Sequence, residues 1–340
     1  MSKKASNFQK KAMSLGYRGK EIFKPLNTGR IDDRVACVRE WIANIFFYTK
    51  NGTTIMIDAG YNYDRLKEKL GWLDIDPSDI KHILITHQDT DHVGAVEVDS
   101  DGLFKSATLY LSEIENQYLT GEKRRKVIFS LYKLPMVKTD NKRVLLKDGQ
   151  LLNFNGIKVE CILVPGHTWG HMVYLIDDEY LFTGDTIWFG SDGGYSFINS
   201  LAEDNELAKR SLAKLEQMLK KRCLTPKVIT GHTGWTDNFE FVFRHRDKVC
   251  NSLKKQKPHD PSAPPMTVIK RMTTRKKTRE KTLCQRWSLR RTVNDDYYST
   301  GSVLFAVYAD GAAVGNRRRY QRAVFLSEGG TAKSLFLRDY

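Results

Sequence analysis

The sequence has too few cysteines, too irregularly placed, for a disulfide framework. Its five cysteines are an odd number, are widely scattered and include no Cys-x-x-Cys pair, so neither disulfides nor a zinc ribbon is indicated. It also has no run of 18 or more apolar residues, and its first eleven residues are basic and polar. These absences argue against a membrane-spanning helix and a secretory signal. We therefore expect a soluble, cytoplasmic protein with reduced cysteines and no membrane partner.

The net charge of +15 is unevenly distributed along the 340 residues. Residues 256–340 carry 17 Lys and Arg against 7 Asp and Glu, which leaves 38 against 33 in residues 1–255. A strongly basic balance often indicates a nucleic-acid partner, but here it is concentrated in the last quarter of the chain. We predict two regions: a compact domain over residues 1–255, whose hydrophobic content supports a sizeable core, and a basic tail over residues 256–340.

The composition of the tail changes abruptly at Pro258, and basic runs follow at Lys270–Arg279 and Arg317–Arg319. Such runs are candidates for a nucleic-acid arm. A second hypothesis is that residues after about 264 are a frame-shifted reading, because Lys, Arg, Met and Thr codons of the form A-N-G or A-N-A become Asp and Glu codons one nucleotide away. We favour the second hypothesis and expect no nucleic-acid partner. We predict a poorly ordered tail with at most one strand, at Val303–Tyr308.

Short apolar runs bounded by Gly, Asp or Asn predict β-strands through most of the compact domain. Two of them, residues 42–48 and 53–57, flank Lys50-Asn51-Gly52 and predict a hairpin. Further strands are predicted at residues 82–86, 107–111, 150–154, 157–164, 172–176, 180–183 and 226–230.

Helical patterns are fewer. Helices are predicted at residues 64–70, from Glu113, from Asp204 with the apolar stripe Ala208, Leu212, Leu215 and Leu219, and from Asp237 through Val249. The basic patch Lys123–Lys126 is interpreted as solvated surface.

The stretch Thr86–Gly94 carries the clearest chemical signal. It follows an apolar strand and contains His87, Asp89, Asp91 and His92, and imidazole and carboxylate are the ligands of zinc and non-haem iron. Carboxylates this close would repel one another unless a cation lay between them. A polar turn that closes a strand is the alternative interpretation.

Later turns favour the metal interpretation. His167, Asp185 and His232 each follow a glycine at the end of a predicted strand, and five of the eight histidines fall in or beside these turns. So many imidazoles in corresponding positions are hard to attribute to composition. We therefore predict that the four turns converge on a metal site.

The order and spacing of these residues resemble the metallo-β-lactamase superfamily, whose signature is His-x-His-x-Asp-His, a later Gly-His, a Gly-Asp and a final His. The resemblance covers about residues 40–245. It implies an α+β fold, a four-layer αββα sandwich with a dinuclear metal site at one edge and Asp58 as an early structural aspartate. It further implies the ligands: His87 and His167 for the first metal, Asp91, His92 and His232 for the second, and Asp185 for both.

Asp89 stands where this signature has its second His. An Asp can still bind a divalent metal through oxygen, and it would make the first site harder and more anionic, which favours iron or manganese over zinc there. We expect two divalent metal ions, with zinc first and iron or manganese as alternatives because of Asp89. The flavodiiron branch is similar in having a Glu there, which leaves a di-iron redox function as an alternative, although we identify no flavodoxin-like domain. Another alternative is that Asp89 does not reach the first metal, which would then bind weakly and leave the enzyme to use the second site alone.

Two neighbouring metals share a water whose pKa falls toward neutrality, which supplies hydroxide as a nucleophile. We therefore predict a hydrolase of a small-molecule ester, thioester, lactone or phosphodiester. Asp91 would orient the nucleophile and pass a proton to the leaving group, and His171 would polarise the substrate oxygen or, equally, hydrogen-bond to a ligand. A nucleic-acid processing hydrolase that uses the basic tail is a further alternative.

The aromatic, glycine-rich stretch Thr186–Phe197 is predicted to be a loop that forms an apolar wall beside the metals, with Trp169 and Trp235, or that closes the sandwich edge. The basic residues with which glyoxalase II enzymes hold glutathione are not evident after the Gly-Asp. β-Lactamase activity is not expected in a cytoplasmic protein with Asp at the bridging position.

Overall fold

The structure is a computed structural model, and it describes residues 23–61, 65–127, 132–134, 136–197, 199–249, 305–309, 322–326 and 332–336. The chain divides into two compact units, Met1–Val268 and Ile269–Tyr340. The expected boundary after residue 255, the Lys270–Arg279 run and most of the tail lie outside the described residues. Within those residues no helix is long and apolar enough to cross a membrane.

The described part of the first unit contains eighteen strands. They are β1 (Gly29–Arg30), β2 (Val35–Glu40), β3 (Ala43–Lys50), β4 (Thr53–Ile57), β5 (His82–Leu84), β6 (Thr108–Ser112), β7 (Lys126–Val127), β8 (Tyr132–Lys133), β9 (Arg143–Leu146), β10 (Gln150–Phe154), β11 (Ile157–Leu163), β12 (Met172–Ile176), β13 (Tyr180–Phe182), β14 (Ile187–Gly190), β15 (Gly193–Ser196), β16 (Lys227–Thr230), β17 (Gly234–Thr236) and β18 (His245–Val249).

Its helices are α1 (Leu66–Gly71), α2 (Thr90–Val93), α3 (Glu113–Thr120), α4 (Asn205–Lys221) and α5 (Phe239–Phe243), and short 3-10 turns occur at Pro77–Asp79, Gly94–Val96 and Asn199–Leu201. The predicted α4 is confirmed, since Asp204 caps it by accepting a hydrogen bond from Leu207 N and its predicted apolar stripe is buried.

Two large sheets dominate the architecture. The first has the strand order β1-β2-β3-β4-β5-β6-β9 and the second the order β10-β11-β12-β13-β16-β17, while β14, β15 and β18 form a smaller sheet. The predicted hairpin β3–β4 is confirmed: its turn residues Asn51 and Gly52 have φ values of 53° and 70°, as a tight two-residue hairpin turn requires.

Three hydrophobic clusters define the layers. One lies between the two large sheets and includes Phe46, Tyr174 and Phe182. A second packs the outer face of the first sheet against α1, and a third packs the outer face of the second sheet against α4. Because successive residues of β3 alternate between the inner and outer clusters, the strand is apolar on both faces. The predicted αββα sandwich is therefore confirmed.

The strand directions bring five polar turns to one edge of the sandwich. Strands β4 and β5 run parallel to each other, as do β13 and β16, and β11 points the same way as β13 because both are antiparallel to β12. The carboxyl ends of β4, β5, β11, β13 and β16 lead into Asp58, His87, His167, Asp185 and His232 respectively. A sheet edge of this kind commonly presents functional side chains, since the strands fix the start of each loop.

Two predicted elements near the end of the first unit are wrong. The helix predicted through Val249 ends at Phe243 and is capped by Asn238 rather than Asp237, because the following residues form β18 and pair with β15. The stretch predicted as a loop after Asp185 is the hairpin β14–β15. Strand pairing decided both cases, and it depends on a partner that local sequence does not reveal.

The second unit contains three described strands, β19 (Phe305–Ala309), β20 (Arg322–Leu326) and β21 (Ala332–Phe336), which pair antiparallel in that order. The single strand predicted at Val303–Tyr308 overlaps β19, whereas β20 and β21 were not expected. The Arg317–Arg319 run lies outside the described residues. Of the cysteines, Cys37 and Cys161 are buried, Cys223 is exposed, and all three are free.

Replacing Asp204 with Ala should lower the free energy of unfolding by about 1 kcal/mol, because the first turn of α4 loses the side-chain acceptor for Leu207 N. Asp204→Asn keeps an acceptor and is the matched control. Urea unfolding of the full chain, followed by circular dichroism, measures the difference. Equal unfolding midpoints for the two variants would contradict the assigned cap.

Candidate metal centre

Asp58 organises the loop that follows β5. It directly follows β4 with a φ of 58°, a left-handed conformation that Asp tolerates better than most residues. Its Oδ1 accepts hydrogen bonds from Thr86 N at 2.8 Å and Thr86 Oγ1 at 3.0 Å, and its Oδ2 lies 2.7 Å from His92 Nδ1. Asp58 thus joins β4 to both ends of the ligand-bearing loop.

The histidines of the site direct Nε2 into a common centre, and three of them have Nδ1 held by a neighbour. His87 Nδ1 lies 3.0 Å from Thr86 Oγ1, His92 Nδ1 contacts Asp58 as described, and His232 Nδ1 donates to Ile42 O at 2.6 Å. Hydrogen bonds of this kind fix the tautomer and ring orientation of metal-binding imidazoles.

The inward atoms form two groups. The first ligand group consists of His87, His167 and Asp185, and the second consists of Asp91, His92 and His232; within each group one ligand atom per residue lies within 4.8 Å of the others. His167 Nε2 is 3.2 Å from His87 Nε2, and His232 Nε2 is 3.3 Å from Asp91 Oδ2. All six residues predicted as the signature's ligands therefore converge.

Asp185 connects the two groups. Its Oδ2 lies 3.7 Å from His167 Nε2 and 3.1 Å from His232 Nε2, while its Oδ1 lies 3.4 Å from His92 Nε2. One carboxylate thus faces ligands of both groups, which is the arrangement expected of a bridging residue.

The residues fit divalent metal ions. Bonds of about 2.0 Å to a tetrahedral zinc place ligand atoms about 3.3 Å apart, close to the separations within and between the groups. His92 Nε2 and Asp185 Oδ1 are buried and have no hydrogen-bond partner, although buried polar atoms are nearly always paired. A cation near these two atoms would satisfy both, and the imidazole and carboxylate donors suit zinc or iron.

Glycines make room for this convergence. Gly184 has a φ of +49°, and a Cβ there would come within 2.5 Å of Thr86 Oγ1 and 2.9 Å of His171 Nε2. A Cβ on Gly231 would lie 2.9 Å from both Asp185 Oδ1 and His92 Cε1. Contacts this short are not tolerated, so the Gly-Asp and Gly-His pairs of the sequence reflect close approach of the turns.

The electrostatics show a surplus of negative charge. Burial raises the pKa of Asp185, but the charges of His232 and His92 outweigh burial and hold it well below its usual value. Burial lowers the pKa of His232, yet Asp185 and Asp91 raise it to about 10. The carboxylates therefore favour positive charge in the centre, whether as protons or as a divalent cation.

Asp89 also reaches the centre but belongs to neither ligand group. Its Oδ2 lies 3.3 Å from His167 Nε2 and 3.6 Å from His87 Nε2. Burial raises the pKa of Asp89, but the positive charge of Arg125 together with hydrogen bonds to the two histidines holds it well below its usual range. Asp89 is thus a carboxylate whose Oδ2 faces the first ligand group.

Arg125 corrects the interpretation of the basic patch as solvated surface. Lys123, Arg124 and Lys126 are exposed, but Arg125 is only 2% exposed and pairs with Asp89 through two contacts of 3.0 and 3.2 Å. A buried carboxylate needs such a partner, but nothing in four consecutive basic residues indicates which one turns inward. Arg125 was therefore not predicted, and the only available signal in the sequence was the extra negative charge of Asp89.

Glu115 was missed as well. It is buried at the start of α3 and accepts hydrogen bonds from Gln88 N, Thr168 Oγ1 and Gly170 N at 2.9, 2.5 and 3.1 Å. It therefore connects the loop after β5 to the loop that carries His167. A Glu in the first turn of a helix usually carries no functional signal, since that position favours acidic residues for local reasons.

His171 lies behind the ligands. Its ring stacks on His87 with centroids 4.8 Å apart, and its Nε2 accepts a hydrogen bond from Asp185 N at 3.1 Å. Burial lowers the pKa of His171 well below its usual value, so the ring is neutral. With Nε2 engaged by the backbone, this imidazole supports Asp185, in line with the second of its two predicted roles.

An aromatic wall adjoins the ligands. Trp188, Tyr195 and Phe197 form a buried cluster against which Phe23 and Leu201 pack. Phe197 lies edge-on to His167 with centroids 4.7 Å apart, and Phe23 lies edge-on to His232 at 5.0 Å. Trp235 does not take part as predicted but packs against the core between the sheets, while Trp169 is 43% exposed.

Comparison with known proteins agrees with this geometry. The family model of the metallo-beta-lactamase superfamily matches residues 38–232. The chain is 32% identical over 152 residues to the probable polyketide biosynthesis zinc-dependent hydrolase BaeB of Bacillus velezensis, covering 45% of this chain and 57% of that protein. It is 30% identical over 148 residues to a hydroxyacylglutathione hydrolase of Buchnera aphidicola, covering 43% and 47%. The chain thus spans about half the length of the curated relatives it matches.

Solved structures show a similar but more distant likeness. A B3 metallo-beta-lactamase with an active-site glutamic acid is 18% identical with a TM-score of 0.48, and the match covers 68% of this chain and 90% of that one. MEM-A1, a subclass B3 metallo-beta-lactamase from a soil metagenome library, is 18% identical with a TM-score of 0.47, covering 62% and 80%.

Replacing Asp58 with Asn should weaken metal binding by the second ligand group on the order of 10–100-fold, since the carboxylate that orients His92 is lost. Zinc affinity measured by chelator competition tests this. Asp178→Asn, which removes an exposed carboxylate paired with Arg222, is the matched control. Unchanged zinc affinity in Asp58→Asn would contradict the assigned role.

Proposed function

The chain belongs to the metallo-beta-lactamase superfamily, and we propose that it is a metal-dependent hydrolase of a small-molecule acyl ester, thioester or lactone. The observation that carries the proposal is the pair of ligand groups joined by Asp185, whose Oδ1 faces His92 and whose Oδ2 faces His167 and His232. We propose that two divalent metals bind there, with zinc as the first expectation.

His87, His167 and Asp185 would hold one metal, with Asp89 as a further oxygen donor, and Asp91, His92, His232 and Asp185 would hold the other. The chemistry supplied by such a pair is activation of water near neutral pH and polarisation of the substrate oxygen. The protein supplies orientation, since the rings of His87, His92 and His232 are held through Nδ1.

Asp91 is the proposed proton carrier. Its side chain is 16% exposed, more than that of any other predicted ligand, so it is the ligand-group carboxylate most open to a reactant. Burial raises the pKa of Asp91, but His92 and His232 lower it below its usual value, so the group is ionised at neutral pH and able to accept a proton. We propose that it orients the nucleophile and passes a proton to the leaving group.

The proposed substrate class follows from the aromatic wall. The rings in contact with His167 and His232 are those of Phe197 and Phe23, which favour an uncharged acyl group over a phosphodiester, because phosphate binding normally uses cationic donors. The names of the two curated relatives, a zinc-dependent hydrolase and a hydroxyacylglutathione hydrolase, support hydrolysis. Glutathione itself is not part of the proposal.

Replacing His167 or Asp185 with Ala should remove bound metal and lower kcat/KM on the order of a thousandfold or more, because metal ions supply several kcal/mol of transition-state stabilisation. Metal content by elemental analysis and hydrolysis of an ester, thioester, lactone and phosphodiester panel measure both effects. His245→Ala, in β18 beside Asp192, is the matched histidine control.

Two results would count against this function. Full metal content and full activity in both variants would contradict the assignment of His167 and Asp185 as metal ligands. Purified protein that carries iron, reduces oxygen and hydrolyses no member of the panel would favour the di-iron redox alternative.

Replacing Phe23 with Ala should raise KM for a long apolar acyl ester about tenfold while leaving KM for the acetyl ester within about twofold, since burying apolar surface contributes roughly 25 cal/mol per Å². Trp72→Ala, an exposed aromatic that packs on Arg65, is the control. Equal changes in KM for both esters would show that Phe23 does not contact the acyl chain.

A further inference from the structure

We propose that Arg125 is a positioning residue that converts Asp89 into a fixed, charge-compensated donor for the metal of the first ligand group. The inference rests on the proposed function, because it requires a metal bound by His87, His167 and Asp185. It assigns a role to a residue that lies outside the superfamily's ligand signature.

The contact between the two side chains is bidentate. Arg125 Nε donates to Asp89 Oδ1 at 3.0 Å, and Arg125 Nη2 donates to Asp89 Oδ2 at 3.2 Å. Gln88 Nε2 donates to the same Oδ1 at 2.8 Å. Two parallel contacts fix the plane of a carboxylate as a single contact cannot, so Asp89 is held in one orientation.

That orientation leaves Asp89 Oδ2 available to a metal. Asp89 Oδ1 accepts from Arg125 Nε and Gln88 Nε2, whereas Oδ2 accepts from Arg125 Nη2 and faces His167 and His87 at 3.3 and 3.6 Å. A carboxylate oxygen has two lone pairs. Oδ2 therefore accepts from Arg125 and still has a lone pair for a metal.

The guanidinium is itself fixed from other parts of the fold. Its Nη2 donates to Leu201 O at 2.6 Å and its Nη1 to Lys126 O at 3.2 Å, and Glu203 Oε1 lies 3.8 Å from Nη1. With a side chain only 1% exposed, Arg125 is not presented to substrate. Its Nη2 lies 3.4 Å from His167 Nε2, so its position and its charge act on Asp89 beside the first ligand group.

The pair also changes the charge argument for metal identity. Replacing a neutral His by Asp adds one negative charge to the first ligand group, and Arg125 adds one positive charge within hydrogen-bonding distance of that carboxylate. The net charge then equals that of a group with His at position 89. The anionic character that would favour iron or manganese is therefore offset, and zinc remains suited to the site.

The test is a double-mutant cycle on the full chain with zinc as the ligand. Arg125→Met should weaken zinc binding by the first ligand group on the order of 10–100-fold, as is typical when a residue that orients a ligand is removed. The zinc held by the second ligand group should keep its affinity. Arg124→Met, which removes the exposed neighbouring guanidinium, should bind both equivalents as the wild type does. Chelator competition and the visible spectrum of the cobalt-substituted protein resolve the two equivalents.

The sign of the effect should reverse when His replaces Asp89. Asp89→His removes the bidentate carboxylate partner of the guanidinium beside the metal and leaves it Glu203 Oε1 at 3.8 Å, so adding Arg125→Met in that background should raise zinc affinity or leave it unchanged. A loss of affinity as large as in the wild-type background would overturn the proposal, because Arg125 would then act independently of Asp89. Wild-type affinity for both equivalents in Arg125→Met would overturn it as well.

Folding and the proposed function are separable from this result. If Arg125→Met does not fold, circular dichroism of the Asp89→His/Arg125→Met double variant decides: a folded variant that binds two zinc equivalents supports the pairing, and an unfolded one overturns it. Glu203 keeps Tyr118 Oη and Trp169 N as donors in that variant. Failure of the proposed function would appear in the wild type, as an absence of bound zinc before any substitution is compared.

Discussion

Charge balance in a buried volume is the constraint on which the site depends. Asp58, Asp89 and Asp185 are buried at one edge of the sandwich among five buried imidazoles, and a buried carboxylate is stable only with a compensating charge or hydrogen bonds. The fold meets this requirement in three ways. Asp58 accepts hydrogen bonds from Thr86 and His92, Asp89 pairs with Arg125, and Asp185 faces both ligand groups. The first two are satisfied within the chain, whereas Asp185 Oδ1 and His92 Nε2 keep unused capacity that suits a metal.

The arrangement explains how a substitution in a ligand signature is accommodated. An Asp in place of the second His changes both the donor atom and the charge, and neighbouring side chains compensate for each change. Gln88 and Arg125 donate to Asp89 Oδ1, and Arg125 also donates to Oδ2, which faces His87 and His167. The segment between α3 and β7 thereby becomes part of the candidate site, although its sequence has the composition of an ordinary solvated turn.

The same edge of the sandwich also carries the aromatic wall beside the candidate ligands. Pairing of β14 with β15 directs Ile187 and Phe189 toward α4 and Trp188 with Tyr195 toward the opposite side. The second face, completed by Phe23 and Phe197, contacts two of the proposed ligands. A low-polarity wall strengthens electrostatic interactions next to it, so the proposed substrate preference and the proposed metal chemistry would both depend on this hairpin.

Much of this protein is determined by local sequence. Apolar runs such as Ile45–Tyr48 predict strands because they are buried on both faces, and Asp204 with its stripe predicts α4 because caps and helical periodicity are local properties. The candidate ligands His87, Asp91, His92, His167, Asp185 and His232 were recognisable because their turns follow strands, because three of them follow a glycine, and because their order resembles the superfamily signature. Those signals need no knowledge of what lies across the fold.

Only the tertiary structure decided which distant groups meet. Arg125 is the buried partner of Asp89, and Glu115 joins two loops that carry candidate ligands. His171 accepts from Asp185 N, and residues 245–249 pair with β15 instead of extending a helix. All four features depend on contacts between segments far apart in the chain. Of the four adjacent basic residues, Arg125 is the one that is buried, and it pairs with the carboxylate of Asp89, which lies 36 positions away in the chain. Pairwise electrostatics and strand pairing act through space, so the local pattern of residues did not contain them.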